Sequence, residues 1–347
     1  MKAKTEERLI PIISVGIALL IGAVIMISLG NNPLLAYGYL IQGAFIGKRE
    51  IAQTLVMATP LIFAGLSVSF AFHTGLFNIG TQGQMMIGGL AAVSIAAFVN
   101  SAVINNVVVV VLVAAIAGFI WAGIAGWLKA KLGVHEVIST IMLNYIAMSI
   151  EQYLLNYPLK EGGFLGPSPQ TPRISELSRF PSILSGTNLN LGFLIALIAA
   201  FVVWFILEKS VLGYEIKAVG FNADAAENAG INVKWRIILA MGIAGVLAGL
   251  GGTERVLGGI ASDRYISGIM AEYGFDGIAV ALLGKNNPLG IIFAAILFGA
   301  LRAGAMRMQF LAGVPSQIII IIQAIIILLI ASENMFKYFL ERKKVEA

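Results

Sequence analysis

The chain of 347 residues is 59% hydrophobic and 12% charged, with a formal net charge of +5. Soluble domains carry about 25% charged residues, so this composition excludes an ordinary soluble domain. The absence of cysteine excludes disulfide and cysteine–metal frameworks, and the two histidines, His73 and His135, are too few for a histidine metal cluster. We therefore expect no metal and no other cofactor. The small basic excess fits loops near lipid headgroups rather than a nucleic-acid site.

The run from Ile51 to Leu128 contains no Asp, Glu, Lys or Arg. Such a run is long enough for several membrane crossings of about 20 residues each. The basic start, followed by an apolar run without a convincing small-residue cleavage site, predicts an uncleaved first helix. The sequence therefore predicts an all-α polytopic membrane protein that forms one transmembrane domain over residues 1–347. The candidate spans are residues 9–29, 52–72, 83–99, 107–128, 136–156, 190–207, 236–252, 268–284, 288–304 and 316–332.

The basic residues indicate the orientation of these ten spans. With the N-terminus inside, 14 of the 23 Lys and Arg residues lie on the inner side and nine on the outer side. This excess has the sign of the positive-inside rule, so we expect both termini in the cytoplasm. Five spans in each half, about 1–157 and 190–335, make the two halves inverted with respect to each other.

Residues 73–89, HTGLFNIGTQGQMMIGG, interrupt two apolar runs with glycines and uncharged polar groups. In lipid, an interrupted helix survives only inside protein or along a cavity, and transporters place their substrates there. Side-chain amides donate and accept hydrogen bonds, which suits a neutral polar solute. For any single residue, the alternative is helix–helix adhesion. We expect the cluster to lie near the pathway, with Phe77, Asn78, Gln82 and Gln84 as candidates.

A second glycine-rich polar stretch, AEYGFDGIAVALLGKNNPLG at 271–290, follows about 200 residues later and adds Phe275 and Asp276 as candidates. Two interrupted segments in corresponding positions indicate an internal duplication. Asn144 and Tyr145 in the fifth span are further candidates for lining the pathway. Phe77 or Phe275 could offer a ring face to a nucleobase. The alternative for each ring is packing against lipid or the protein core.

The two long loops differ in character. Residues 158–189 fall outside and are rich in proline and glycine, which precludes a long helix. This loop is either a connector or a partial lid that contacts a receptor.

The other long loop, residues 208–235, falls inside and has the pattern of two short helices. Asn222 is a plausible N-cap, Asp224 lies in the first turn and Gly230 is a plausible stop. Such short helices are marginal alone, so they need a packing partner. That partner is either the protein's own transmembrane helices or a cytoplasmic subunit.

The sequence contains no motif for covalent or phosphate chemistry. It has no phosphate-binding GxxxxGK[ST] motif, and GLGGTERVLGG follows a span rather than a strand. A proton-driven carrier would typically hold ionisable residues in mid-membrane, whereas Glu136, Glu151, Glu272 and Asp276 fall near predicted span ends. We expect no catalytic residues and an energy source on another chain.

Four stretches in this order carry a specific resemblance over nearly the whole chain: FAGLSVSFAFHTGLFNIGTQGQMMIGG, HEVISTIMLNYIA, GYEIKAVGFNADAAENAGINV and YGFDGIAVALLGKNNPLGI. Together they resemble the nucleoside-type permease subunit of bacterial ABC importers, within the ribose and branched-chain amino acid permease superfamily. The resemblance implies a type II-like importer permease of ten helices in the bacterial plasma membrane. It also implies a second, paralogous permease chain, cytoplasmic ATP-binding subunits and a substrate-binding lipoprotein that delivers nucleosides.

By the same resemblance, the inner loop is the coupling loop for the ATPase. Its implied coupling residues are Gly213, Gly220, Asn222, Asp224, Ala226, Glu227 and Gly230. Two alternatives stay open. The same class of importer could carry ribose, another simple sugar or a branched-chain amino acid, although an amino acid needs a zwitterion site that the charge-free run disfavours. A secondary nucleoside carrier could also work alone.

Overall fold

The protein is described by a computed structural model over residues 2–99, 101, 103–163, 166, 168–258 and 263–331. Within these ranges the regular structure is helical, apart from two isolated β-bridges. Four of the 14 basic residues counted on the inner side, Lys337, Arg342, Lys343 and Lys344, lie outside the described residues. The helices are α1 (Lys2–Ser28), α2 (Pro33–Phe45), α3 (Lys48–Phe72), α4 (Thr81–Phe98), α5 (Val107–Leu132), α6 (Glu136–Asn156), α7 (Leu191–Lys209), α8 (Val211–Phe221), α9 (Ala223–Asn228), α10 (Val233–Leu257), α11 (Tyr273–Leu283), α12 (Pro288–Ala312) and α13 (Gln317–Ala331).

The all-helical prediction is confirmed, and five of the described helices are long and apolar enough to cross a membrane, namely α3, α5, α7, α10 and α12. Shorter apolar helices accompany them, including α11. The predicted span 268–284 is helical only over Tyr273–Leu283, and these 11 residues are fewer than the ~20 that a full crossing needs. The protein is thus a multi-pass membrane protein whose helices differ widely in length.

Helix α2 was not among the predicted elements. The side chain of Asn32 caps it by accepting from the Leu34 nitrogen at 3.0 Å, and Pro33 occupies the first helical position. Both are established start signals for a helix. The sequence analysis places no span here, because the 13 residues of α2 are too few to cross a membrane.

The chain divides into two compact units, and the boundaries fall inside the continuous helices α3 and α12. The first unit combines residues 1–57 with 296–347. Within it, the Tyr37 hydroxyl donates to the Leu19 carbonyl at 2.5 Å, and Arg307 pairs with Glu50 at 3.2 Å.

The second unit, residues 58–295, is built around α10, which packs against α4 and α5. Glycines make this close packing possible. A Cβ added at Gly245 would overlap the carbonyl oxygen of Gly118 on α5, and one added at Gly88 on α4 would overlap the backbone of Gly249. Membrane helices associate through such small residues because lipid supplies no hydrophobic drive for packing.

The outward faces of α5 and α7 are apolar, as contact with lipid requires. On α5 the exposed residues include Leu112, Ile116 and Ile120, and on α7 they include Ile198 and Phe201. Exposing apolar side chains to hydrocarbon tails costs no free energy, whereas exposing them to water does.

Candidate functional site

The chain leaves the helical conformation at residues 73–80, between α3 and α4, and we call this segment the first interruption. Gly75 has a φ of +74°, a left-handed conformation that glycine adopts without steric cost. The Leu76 nitrogen then donates back to the Ala71 carbonyl at 3.2 Å, which closes the end of α3. The predicted helix break in this stretch is confirmed.

Asn78 and Gln84 hold the first interruption together through a reciprocal pair of side-chain hydrogen bonds. The Asn78 amide donates to Gln84 Oε1 at 3.1 Å, and the Gln84 amide donates to Asn78 Oδ1 at 2.9 Å. Asn78 Oδ1 also accepts from the Gly80 nitrogen at 3.1 Å. Both side chains are about 1% exposed, so their polar atoms depend on these bonds.

Gln82 joins α4 to the segment 263–272 that precedes α11. Its amide donates to the Met270 carbonyl at 2.5 Å, and its Oε1 accepts from the Gly274 nitrogen at 2.8 Å. A Cβ at Gly274 would overlap the Gln82 backbone, so only glycine permits this approach. The structure thus brings together the two glycine-rich segments that the sequence places about 200 residues apart.

Asn144 supplies the same kind of bracing from α6. Its Oδ1 accepts from the Gly83 nitrogen at 2.8 Å, and its amide donates to the Ile79 carbonyl at 2.9 Å. The first N–H groups of a helix have no partner within the helix, and Asn144 satisfies one of them. We call Asn78, Gln82, Gln84 and Asn144 the amide cluster. Its side chains are buried, and they bind the protein's own backbone and one another.

The remaining pathway candidates lie outside this cluster. Phe77 is half-buried and meets the Phe72 ring edge-on, with centroids 6.2 Å apart. Phe275 is 52% exposed, and Asp276 is half-buried in the first turn of α11. Tyr145 is 61% exposed and borders an open groove of about 430 Å³ along α6. These side chains are not gathered around one cavity, and their assignment to the pathway stays a prediction.

The inner segment, residues 208–235, contains the two short helices predicted for it. Asn222 caps α9 by accepting from the Ala225 nitrogen at 2.9 Å, and Gly230 ends the turn with a φ of +84°. Ser210, which the sequence reading did not single out, caps α8 through the Gly213 nitrogen at 3.1 Å. Each cap of this kind stabilises a helix by about 1 kcal/mol.

One face of the inner segment is buried and the other is exposed. Ile216 and Ala226 are buried, whereas Tyr214 is 70% and Phe221 is 89% exposed. The acidic residues predicted for this segment, Asp224 and Glu227, are exposed, as is Gly230.

Helix α8 touches α7 near its start and the first interruption near its end. A Cβ at Gly213 would overlap the Ile206 carbonyl oxygen, which explains the glycine at the turn between α7 and α8. At the other end of α8, a Cβ at Gly220 would overlap the His73 carbonyl oxygen and lie 3.0 Å from the Gly75 nitrogen. Backbone therefore meets backbone between the inner segment and the interruption.

Two ion pairs anchor α8, and the sequence reading missed both. Glu215 pairs with Arg236 at the start of α10 at 2.6 Å, and Lys217 pairs with Glu208 at the end of α7, also at 2.6 Å. Beside them, His73 Nδ1 lies 2.8 Å from the Ser69 carbonyl. Because a carbonyl oxygen only accepts, Nδ1 carries the proton of this hydrogen bond.

The loop 158–189, which the sequence predicts to be external, contacts the segment before α11 through its described residues. The Thr171 nitrogen donates to the Tyr265 carbonyl at 3.0 Å, and Arg179 pairs with Asp263 at 2.7 Å. Arg264 pairs with Glu161. The described residues of this loop are therefore tied to the second unit as a strap, and a contact with a receptor stays a prediction. Among the described residues, no group of three or more His, Asp or Glu is placed to hold a metal ion.

Comparisons with known proteins show the family of the chain and several relatives. Residues 50–331 match the family model described as the permease component of branched-chain amino acid transport systems. The chain is 38% identical to the guanosine ABC transporter permease protein NupP of Bacillus subtilis, over 99% of both chains. It is 38% identical to the nucleoside ABC transporter permease protein NupB of Lactococcus lactis, over 99% of this chain and 96% of the relative. It is also 32% identical to the glucose ABC transporter permease protein TsgB13 of Haloferax volcanii, over 95% of this chain and 88% of the relative. No solved structure matches the chain.

Proposed function

This chain belongs to the family of permease components of branched-chain amino acid transport systems, and from that premise we propose that it is the transmembrane permease subunit of an ATP-driven importer of nucleosides. One observation carries the substrate class: the chain is similar over 99% of its length to two permeases named for guanosine or nucleosides. A family of transport permeases is not a family of enzymes, and ATP hydrolysis belongs on a separate subunit.

A simple sugar is the second candidate substrate, because the glucose permease of Haloferax volcanii is 32% identical over 95% of this chain. Nucleosides and sugars share ribose-like hydroxyl groups and lack charge, so similar neutral contacts suit both. A branched-chain amino acid fits less well, since its zwitterion needs charged partners and residues 51–128 contain none.

For the fold, we propose ten crossings in two inverted halves, as in type II-like importer permeases, with the short α11 and the non-helical segment 263–272 together forming one crossing. The order of helices supports a duplication. In the first half, a long α1 and a short α2 precede the 25-residue α3, an interruption and then three further helices. In the second half, α7 and the short α8 and α9 precede the 25-residue α10, an interruption and then three further helices. On this reading, α2 is the outer counterpart of the inner segment.

We assign the inner segment to coupling with a cytoplasmic ATPase subunit. Its exposed face presents the Tyr214 and Phe221 rings beside small alanines, and exposed aromatic side chains are common anchors of protein interfaces. The end of α8 contacts the first interruption at Gly220. Movement of a bound ATPase would therefore pass to the interruption through direct backbone contact rather than through a flexible linker.

For the amide cluster, we propose a positioning role beside the pathway. Its members hold the starts of α4 and α11 against each other, and in transporters such half-helix ends border the substrate site. The exposed side chains of Tyr145 and Phe275 and the half-buried ring of Phe77 are then the groups that face the solute. Weak contacts of this kind suit a solute that must be bound and released in every cycle.

The complete transporter on this proposal contains a second, paralogous permease chain, cytoplasmic ATP-binding subunits and a substrate-binding lipoprotein in a bacterial plasma membrane. The test is co-purification of these subunits followed by uptake of labelled uridine, adenosine and glucose into proteoliposomes. ATP-dependent uptake of nucleosides that excess glucose does not inhibit supports the proposal. Uptake by the permease chains without ATPase subunits would instead indicate a stand-alone carrier.

The orientation has its own test, because the chain contains no cysteine. We propose that the inner segment is cytoplasmic and the external strap is outside. Ser168 and Asn228 are both exposed and lie outside the caps, so each tolerates replacement by cysteine. A membrane-impermeant thiol reagent applied to intact cells should label a cysteine at 168 and spare one at 228. The opposite pattern would reverse the orientation.

A further inference from the structure

The last turn of α10 carries a buried arginine whose hydrogen bonds are incomplete. Arg255 is 8% exposed, and among the described residues its Nε and Nη1 atoms have no hydrogen-bond partner. A guanidinium group has five N–H donors and cannot lose its charge in a protein. Buried charges are normally paired or hydrogen-bonded, because desolvation without compensation is costly. Among the described residues, these two donor atoms therefore lack an acceptor, although the neighbouring Glu254 carboxyl interacts with the charge.

The guanidinium group lies on the first residue of α11. Its central carbon is 4.7 Å from the centroid of the Tyr273 ring, and Tyr273 is 5% exposed. Cation–π contact with a buried ring fixes the plane of the guanidinium and thus the directions of its N–H groups. Glu272, the residue before the helix, has a φ of +71° and provides no side-chain cap. The first turn of α11 therefore adds its own positive potential at this point.

The position of Arg255 connects it with the interruptions already described. The nitrogen of Gly274, next to Tyr273, donates to Gln82 of the amide cluster. Arg255 thus lies near the end of α10 and against the first residue of α11, and the next residue of α11 is hydrogen-bonded to the start of α4. Its neighbour Glu254 packs instead on the start of α7, where one carboxyl oxygen accepts from the Asn190 amide at 3.2 Å.

We propose that Arg255 is a substrate-contacting residue that donates hydrogen bonds to a carbonyl or hydroxyl oxygen of the transported solute. The inference rests on the proposed function and adds a specificity contact to it. A neutral solute rich in oxygen acceptors satisfies the guanidinium, and nucleosides offer such acceptors on base and ribose.

The test separates binding from stability with the variant Arg255→Met in the assembled transporter. If the guanidinium is hydrogen-bonded only when the solute is bound, Arg255→Met removes an unsatisfied buried charge from the ligand-free protein. The melting temperature of the ligand-free variant should then equal or exceed that of the wild type. Saturating uridine should raise the melting temperature of the wild-type complex, because a ligand of the native state stabilises it, and should not shift that of Arg255→Met. ATP-driven uridine uptake should fall at least tenfold. Arg255→Lys keeps the charge and should retain part of the uptake.

Arg307→Met is the matched control, because Arg307 pairs with Glu50 at 3.2 Å and lies in the other compact unit. This variant should lose stability and keep the uridine-induced shift. A lower melting temperature for Arg255→Met with an intact uridine shift would overturn the inference and make Arg255 a structural residue. Full uptake by Arg255→Met would also overturn it while leaving the proposed function in place. Absence of ATP-driven uptake by the wild-type complex would overturn the proposed function itself.

Discussion

The first interruption contacts the inner segment at Gly220 and contributes Asn78 to the amide cluster, yet the cluster and the inner segment differ in how their polar groups are placed. In the cluster, Asn78 and Gln84 are about 1% exposed and bind each other and the backbone. In the inner segment, the polar residues Asp224 and Glu227 are exposed, as is the large ring of Phe221. The first arrangement fixes a geometry, whereas the second leaves a surface available to another chain. This difference fits our proposal that a bound ATPase displaces the inner segment and that the inner segment in turn displaces the amide cluster as a rigid group.

The largest effect expected from a single substitution in either region is that of Ala226→Pro. The Ala226 nitrogen donates to the Asn222 carbonyl at 3.0 Å, and proline removes this bond and clashes with the preceding turn. Proline inside a helix costs about 3 kcal/mol or more, which a helix of six residues cannot sustain. We expect loss of uptake and of ATPase co-purification, with membrane insertion unchanged.

Ala223→Pro is the control for this variant. Proline is favoured at the first helical position, and the preceding Asn222 has the extended backbone that a residue before proline requires. Near-normal co-purification is expected for this variant. If Ala226→Pro also kept both its partner and full uptake, the inner segment would not be the coupling element.

The next effect tests the contact between the two regions. Gly220→Ala places a methyl group against the His73 carbonyl oxygen, and overpacking of this kind costs about 1–3 kcal/mol. We expect ATPase subunits to remain bound while the ratio of solute transported to ATP hydrolysed falls about tenfold, since each 1.4 kcal/mol corresponds to a factor of ten. Gly123→Ala on α5 is the control, because nothing lies within 4 Å of the added methyl group. An unchanged transport ratio in Gly220→Ala would show that the contact transmits nothing.

A smaller effect is expected inside the amide cluster. Gln82→Leu leaves the Gly274 nitrogen without its acceptor, and a buried unsatisfied group costs about 1–3 kcal/mol. Part of that cost is relieved by local relaxation, so we expect a several-fold fall in uptake with normal ATPase binding. Gln152→Leu on the exposed face of α6 removes a similar amide and should have little effect. Equal uptake by the two variants would argue that the bridge between α4 and α11 is dispensable.

The smallest effect is expected from the exposed charges of the inner segment. Asp224→Asn keeps the size of the side chain and removes one carboxylate at the rim of the proposed interface. Exposed ion pairs contribute little, so uptake should change by less than about twofold at physiological salt. Loss of partner binding in this variant would mean that Asp224 is a buried contact in the assembly.

Local signals predicted much of the fold. The span starting at Val107 and the two short inner helices follow from apolar runs and from caps such as Asn222, which act within a few residues. Helix α2 was passed over although Asn32 and Pro33 mark its start, because a search for crossings discards a 13-residue helix. The sequence thus indicates where helices begin more reliably than whether they cross the membrane.

The sequence predicted which residues form the candidate site but not which hydrogen-bond partners they have. The sequence singles out Asn78, Gln82 and Gln84 as unusual, yet it does not show that Gln82 binds Gly274 across 192 positions. Pairing at such a distance depends on the packing of α4, α10 and α11, which no local pattern encodes. For the same reason, nothing in the sequence distinguishes Arg255 from the other eight basic residues predicted on the outer side, although the structure buries it against the Tyr273 ring.

The central claim is that this permease imports nucleosides with energy from a separate ATPase, and reconstitution tests it most directly. The permease would be purified with its second permease chain, with or without the ATPase subunits, and placed in proteoliposomes with the receptor. We predict accumulation of labelled uridine only when ATPase subunits and ATP are both present, and its loss when Ala226→Pro replaces the wild-type chain. Equal accumulation without ATPase subunits would contradict the account.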